Sequence, residues 1–168
     1  MTITAAAEAA KTIVRTNTER VQGQGDFDLF EVLFADDFVD HTPQPGTTPD
    51  KDGVRVLYHR LRDAFPDFSP VIHWQTVEGE IVTTFKTYHG THRGPLFGIS
   101  PTGKKIQFDT VDAMRVRDGK ITDHWGVANL FSLRRAPHEN PTYPTRLDDP
   151  AHVQFHPPRR GQARRYRC

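Results

Sequence analysis

At Pro66 the hydrophobic period of the chain changes from that of a helix to that of a strand, and this change narrows the fold more than any other feature. Upstream, Val54, Leu57, Tyr58, Leu61, Ala64 and Phe65 recur at the spacing of one helical face. Asp50 or Asp52 can cap that helix, which must end before Pro66 because a residue preceding proline disfavours α geometry. Ala6, Ala9, Ala10, Ile13, Val14 and Val21 mark an earlier helix within residues 4–22. Asp26 looks like the cap of a short second one, since Phe27, Phe30, Leu33 and Phe34 follow at helical spacing. The run "HTPQPGTTPD" between the second and third helices is a loop, broken by prolines and a glycine.

Downstream of Pro66 the period is two. "SPVIHWQTVEGEIVTTFKTYHGTH" reads as two strands joined at Glu78-Gly79. "KKIQFDTVDAMRVRDGKITDHWGVANLFSL" reads as two more, joined at Asp118-Gly119, a type I′ hairpin signal. "RGPLFGISPTG" connects the pairs. Three helices followed by four antiparallel strands over residues 66–133 define an α+β fold with the helices on one face of a sheet. With Asp118 and Gly119 as the turn, Asp112 lies opposite Trp125, Thr110 opposite Val127 and Phe108 opposite Asn129. One face then carries Phe108, Thr110, Asp112, Met114, Trp125 and Asn129, and the other carries His124 and Ala128. A bulge in the hairpin would reverse part of this assignment. A face that mixes Trp, Met and Phe with Asp and Asn suits a ligand cavity; its bland alternative is a wet sheet margin.

Composition excludes several classes. At 168 residues the chain is long enough for one domain with a core. Its one cysteine, Cys168, allows neither an internal disulfide framework nor a Cys-based metal cluster, and a reducing cytoplasm is the default location. The opening "MTITAAAEAAKTIVRT" does not read as a secretory signal, and no run approaches the roughly 18 apolar residues of a transmembrane helix. The net charge of +1 conceals a basic tail: residues 134–168 hold eight Arg against Glu139, Asp148 and Asp149. Without lysines or a known motif the tail does not argue for nucleic acid, and its six prolines argue against a further helix or strand. No histidine pair with a third ligand and no phosphate loop is readable, so no metal or nucleotide cofactor is expected.

Four segments, "FADDFVDHTPQPGTTPDKDGVR", "LRDAFPDF", "GTHRGPLFGISPTGKK" and "RVRDGKITDHW", occur in the order seen in SnoaL-like polyketide cyclases, also called ester cyclases, and the chain resembles that family over roughly residues 8–134. The resemblance implies a nuclear transport factor 2-like cone over residues 1–133, a curved antiparallel sheet with three N-terminal helices enclosing an apolar pocket. Residues 134–168 are then a basic, Pro- and Arg-rich extension. It also implies a small-molecule substrate, cofactor-free ring closure by an intramolecular aldol reaction, and a homodimer formed through the outer face of the sheet, with no membrane or nucleic acid partner. In the family the strand ending "HW" is usually followed four residues later by an acid/base Asp, where this sequence has Asn129. Asn cannot exchange a proton near neutral pH, but it can donate to and accept from a carbonyl or enol oxygen.

Asp112, Asn129 and His41 are therefore the catalytic candidates. Asp112, beside Trp125 and Met114, would be desolvated, its pKa would rise and it would become a better base. His41, in "FVDHTP", belongs to the cone's mouth by the resemblance. Trp125, Tyr58, Met114, Phe108, Trp74 and His89 are the substrate-binding candidates, with the Tyr58 ring in the core and its hydroxyl toward the pocket. His89 and His92 differ in strand parity and cannot both line it, and His92, beside glycines, reads as structural. Three functions remain: a cyclase or isomerase acting α to a carbonyl of a polyketide-like or other ketonic metabolite, a hydrolase or dehydratase using the same pocket, and a binding module that has lost its acid/base group at Asn129.

Overall fold

Asp26 and Asp50 start two helices through the hydrogen bonds their side chains are suited to make. Asp26 Oδ1 accepts from the Leu29 N–H at 3.1 Å and Asp50 Oδ1 from the Gly53 N–H at 2.9 Å. The computed structural model describes residues 5–129, so the C-terminal extension lies outside the described residues. Its helices are α1 (Ala5–Thr16), a π-helix (Asn17–Gln24), α2 (Phe27–Leu33) and α3 (Lys51–Ala64). Its strands are β1 (Phe34–Asp40), β2 (Ser69–Glu78), β3 (Ile81–Thr91), β4 (Lys105–Arg117) and β5 (Lys120–Ala128), in the sheet order β1-β5-β4-β3-β2.

The sheet departs from a purely antiparallel one. The segment "FADDFVD" forms a strand rather than the end of the second helix, and it adds to the edge of β5 in parallel. Asp36 and Asp37, both exposed, break the alternation that would have marked it. The first helix also differs: after Thr16 it widens into π geometry, which turns Asn17, Thr18, Val21 and Gln22 inward together. Gly25, at φ 78°, ends it in the left-handed region that glycine tolerates. Glu78 pairs with Ile81, so Gly79 and Glu80 make the first hairpin turn, one residue on from the Glu78-Gly79 reading.

In the second hairpin Asp118 and Gly119 both have positive φ, as a type I′ turn requires. The register then slips. Val116 faces Ile121, but Arg115 faces Asp123, leaving Thr122 as the extra residue of a β-bulge. Beyond the bulge Met114 faces His124, Asp112 faces Gly126 and Thr110 faces Ala128. The bulge thereby exchanges the faces of β5: His124 and Gly126 join Asp112, while Asp123, Trp125 and Val127 turn to the outer side.

Helices and sheet close on two hydrophobic clusters. Val14, Val21, Phe30, Phe34 and Ile121 are buried where α1, the π-helix and α2 meet the sheet, and Phe65, Phe68, Tyr88 and Phe108 form a second cluster under the end of α3. Ring pairs hold the second cluster, with Phe68 stacked on Tyr88 at 4.7 Å.

Candidate active site

Between α3, β1 and the inner face of β3–β5 lies a cavity of about 90 Å³. Phe34, Phe38, Leu57, Leu61, Phe108 and Met114 wall it, and Leu96 and Phe97 reach it from the connection between β3 and β4. Its polar lining is Gln22, Asp40, Gln44, Tyr58, Tyr88, Thr110, Asp112 and His124.

These polar groups form one connected system. The parallel pairing of β1 with β5 sets Asp40 beside His124, and His124 Nδ1 lies 2.9 Å from Asp40 Oδ1. The same Asp40 oxygen accepts from the Thr42 N–H at 3.0 Å. On the other side of the ring, His124 Nε2 lies 3.8 Å from Asp112 Oδ1, while Asp112 Oδ2 is ion-paired with the fully buried Lys86. Lys86 Nζ also donates to Thr18 Oγ1 and Gln22 Oε1, each at 3.4 Å. Asp40, His124, Asp112 and Lys86 thus alternate in charge, and each buried ion has an opposite neighbour, which burial demands.

Burial alone would push the Asp112 carboxyl up, but the Lys86 ammonium and the His124 ring overcome it and hold the group at about 2. This reverses the expected rise: the sequence places Trp125 beside Asp112, whereas the structure places a cation there. For His124 burial opposes the charge, yet Asp112 and Asp40 raise its pKa to about 9. Asp40 also stays below the usual carboxylate range, since His124 and Thr42 outweigh its burial. At neutral pH the cavity presents an imidazolium and a carboxylate side by side. Tyr58, pushed up by burial, keeps its proton throughout.

Gly126 keeps the space between the two charged groups open. A Cβ there would lie 2.8 Å from His124 Nε2 and 3.1 Å from Asp112 Oδ1, so no other residue type leaves the gap clear. Thr110 Oγ1 is buried on the same wall with no hydrogen-bond partner, available to a ligand.

Of the candidates named from sequence, the structure brings Asp112, Tyr58, Met114 and Phe108 to the cavity wall. Tyr58 sits deep rather than at the rim, being buried against Phe30 and Phe34. Trp125, Asn129, His41, Trp74 and His89 do not line it. The bulge at Thr122 turns Trp125 to the outer face, where His41 stacks on it at 4.3 Å and Arg115 lies over it. His41 Nε2 and Arg115 Nη1 both meet Asp123, at 2.9 and 2.8 Å. Asn129 is exposed at the end of β5, its N–H bonded to the Asp109 carbonyl. Trp74 packs on Phe85, and His89 alternates with the inward Tyr88. His124, Asp40, Lys86, Gln22 and Gly126 escaped the sequence reading. Lys86 left a signal, because in "IVTTFKTYHG" it shares strand parity with Val82, Thr84 and Tyr88, all buried.

Among the described residues no group of three or more His, Cys, Asp and Glu side chains is arranged to hold a metal ion, and no helix is long and apolar enough to cross a membrane. A curved, unclosed five-stranded sheet with three helices around such a cavity is the nuclear transport factor 2-like fold. The chain belongs to the SnoaL-like polyketide cyclase family, whose model matches residues 12–136. Wild-type IdmH of Streptomyces antibioticus, provisionally assigned as a polyketide cyclase, is 26% identical, with 74% of this chain and 95% of that one covered and a TM-score of 0.66. A SnoaL-like protein of Jannaschia sp. CCS1 is 19% identical over 84% of this chain and 99% of its own, with a TM-score of 0.71. An LEH-like epoxide hydrolase of M. tuberculosis is 22% identical over 76% and 87%, with a TM-score of 0.57. The last two likenesses concern the fold alone. No protein of curated function matches the chain significantly.

Proposed function

We propose that this protein is a cofactor-independent cyclase or isomerase that transfers a proton α to a carbonyl of a small, polyketide-like ketonic metabolite. The observation that carries the reading is the buried run Asp40, His124, Asp112 and Lys86 on one wall of an otherwise apolar cavity. A substrate carbonyl seated over Gly126 accepts a hydrogen bond from the His124 imidazolium. Asp112 removes the neighbouring α-proton, and the electron pair of the broken C–H bond moves into an enolate whose oxygen the imidazolium holds. A carboxylate near pKa 2 is a weak base, and the adjacent cation offsets this by acidifying the C–H. The enolate carbon then attacks a second carbonyl of the same molecule, whose alkoxide takes the proton from Asp112, or, where the enolate is conjugated, Asp112 returns the proton to its remote carbon. Asp40 fixes the ring of His124, and Lys86 balances the charge of Asp112.

A second reading, hydrolase or dehydratase, is favoured by His124 Nε2 and Asp112 Oδ1 both facing the space over Gly126, where the pair can hold and activate a water; the fold shared with an epoxide hydrolase is consistent with it. The binding-module reading rested on Asn129, which stands outside the cavity. We place the protein in the cytoplasm as a homodimer; exposed Val71, Val111 and Val127 on the outer sheet face support self-association, which analytical ultracentrifugation tests.

The chemistry is tested by following a 1,3-diketone ester in D2O by NMR. Proton transfer by the protein speeds deuterium entry at the α-carbon above the protein-free rate with wild type, and Asp112→Asn or His124→Gln loses that acceleration. Solvent oxygen in the product without α-exchange would favour the hydrolase, and exchange equal in all three proteins would defeat both.

A further inference from the structure

We infer that the Tyr58 hydroxyl is a fixed hydrogen-bond donor to an oxygen of the bound ligand, and that Gln22, oriented by Lys86, is the positioning residue that makes it so. The inference deepens the proposed reading of the cavity and rests on it. An ammonium has three protons and no lone pair, so the Gln22 atom that faces Lys86 Nζ at 3.4 Å must be the amide oxygen. Tyr88 fits that orientation, its hydroxyl donating to the same Oε1. The amide nitrogen is thereby turned to Tyr58 and donates to its phenolic oxygen at 2.6 Å.

Asn17 Nδ2 is a second donor to that oxygen, at 3.3 Å, in the orientation that also sets it 3.9 Å from Met114 Sδ and leaves the buried Asn17 Oδ1 without a partner. A phenol has two acceptor positions and one proton, so with both positions taken only the proton remains to be placed, and Tyr58 lines the cavity. Burial keeps that proton on the oxygen. The charge on Lys86 is thus converted, through one amide, into a direction. The ligand chemistry this selects is an oxygen that accepts, such as a ketone, enolate or phenolate. Thr110 Oγ1, buried without a partner on the same wall, can serve a second oxygen of the same molecule.

The test is a double-mutant cycle read by binding of 4-nitrophenol, as phenolate, and of acetophenone as a neutral acceptor. Tyr58→Phe is expected to weaken both about ten-fold or more and to leave binding of toluene, which has no acceptor oxygen, unaffected. In Gln22→Glu both side-chain oxygens only accept: Lys86 bonds one, and Tyr58 swings its proton to the other. Gln22→Glu should therefore weaken acetophenone by the same factor, and adding Tyr58→Phe to it should cost nothing further.

A full ten-fold loss from Tyr58→Phe in the Gln22→Glu background would overturn the directional role. So would unchanged affinity in Tyr58→Phe while His124→Gln still weakens binding, since the Tyr58 proton would then go to Asn17 Oδ1 of a turned amide and the cavity reading would stand. Absence of saturable binding to wild-type protein would overturn the cavity reading and this inference together. The carbonyl stretch of bound acetophenone gives a readout independent of variant stability: it lies lower in wild type than in Tyr58→Phe if Tyr58 donates, and equal if it does not.

Discussion

His124 Nε2 and Asp112 Oδ1 face each other across 3.8 Å, over a backbone position that carries no side chain. The ring cannot retreat from an intruding group, because Nδ1 is held by Asp40 at 2.9 Å. Gly126→Ala is therefore expected to fold with a loss of about 1–3 kcal/mol, the usual cost of overpacking. It should lose α-proton exchange almost completely, because the methyl occupies the position proposed for the substrate oxygen. Urea denaturation and the exchange assay check the two parts separately.

The pH dependence follows from His124. Its folded pKa, about 9, lies above the ordinary 6.5, so its contribution to stability is complete below pH 6.5 and is lost as pH rises through 9. That loss is on the order of 3 kcal/mol. His124→Gln should flatten the stability curve over this window. If the imidazolium acts as the acid, activity falls through the same pH; a rise there would assign the neutral ring as a base instead. Asp112 has the opposite sign, its contribution being present above pH 3.8 and lost as pH falls toward 2.

Lys86 has no exposure and, among the described residues, one carboxylate partner, Asp112. Lys86→Met leaves Asp112 buried beside only the His124 ring, and removing one member of a buried pair costs about 3–5 kcal/mol. Adding Asp112→Asn removes the stranded charge and should restore part of that loss. Urea denaturation of the single and double variants measures it, and equal stability of both would show that Asp112 takes up a proton instead.

How far the sequence was legible depended on whether the deciding interaction was local. Asp26, Asp50, Pro66 and the Asp118-Gly119 turn act within a few residues, and each sets a boundary the structure keeps. The strand Phe34–Asp40 was hidden because Asp36 and Asp37 interrupt its pattern and its pairing partner lies far along the chain. The bulge at Thr122 has no Gly or Pro to announce it, yet one extra residue moved Trp125 out of the cavity and His124 in. Asp40 became part of the site only through that same pairing of β1 with β5. Lys86 shares strand parity with Val82, Thr84 and Tyr88, but Ile81 and Phe85 make the other face as apolar, so only the structure shows which face is buried and that the ammonium meets a carboxylate there.

Asp112 and Asn129 separate the sequence reading of the site from the structural one. The resemblance puts the acid/base position at 129, but that residue is exposed at the end of β5, while Asp112 is buried between Lys86 and His124. Asp112→Asn keeps the shape and removes the charge, and should lower the rate of α-proton exchange by about 10² to 10⁴, the worth of one positioned acid/base group. Asn129→Ala and Asn129→Asp should leave that rate unchanged, because Asn129 is exposed and does not line the cavity. A gain in rate from Asn129→Asp, with none lost from Asp112→Asn, would return the chemistry to the end of β5 and remove Asp112 from the mechanism.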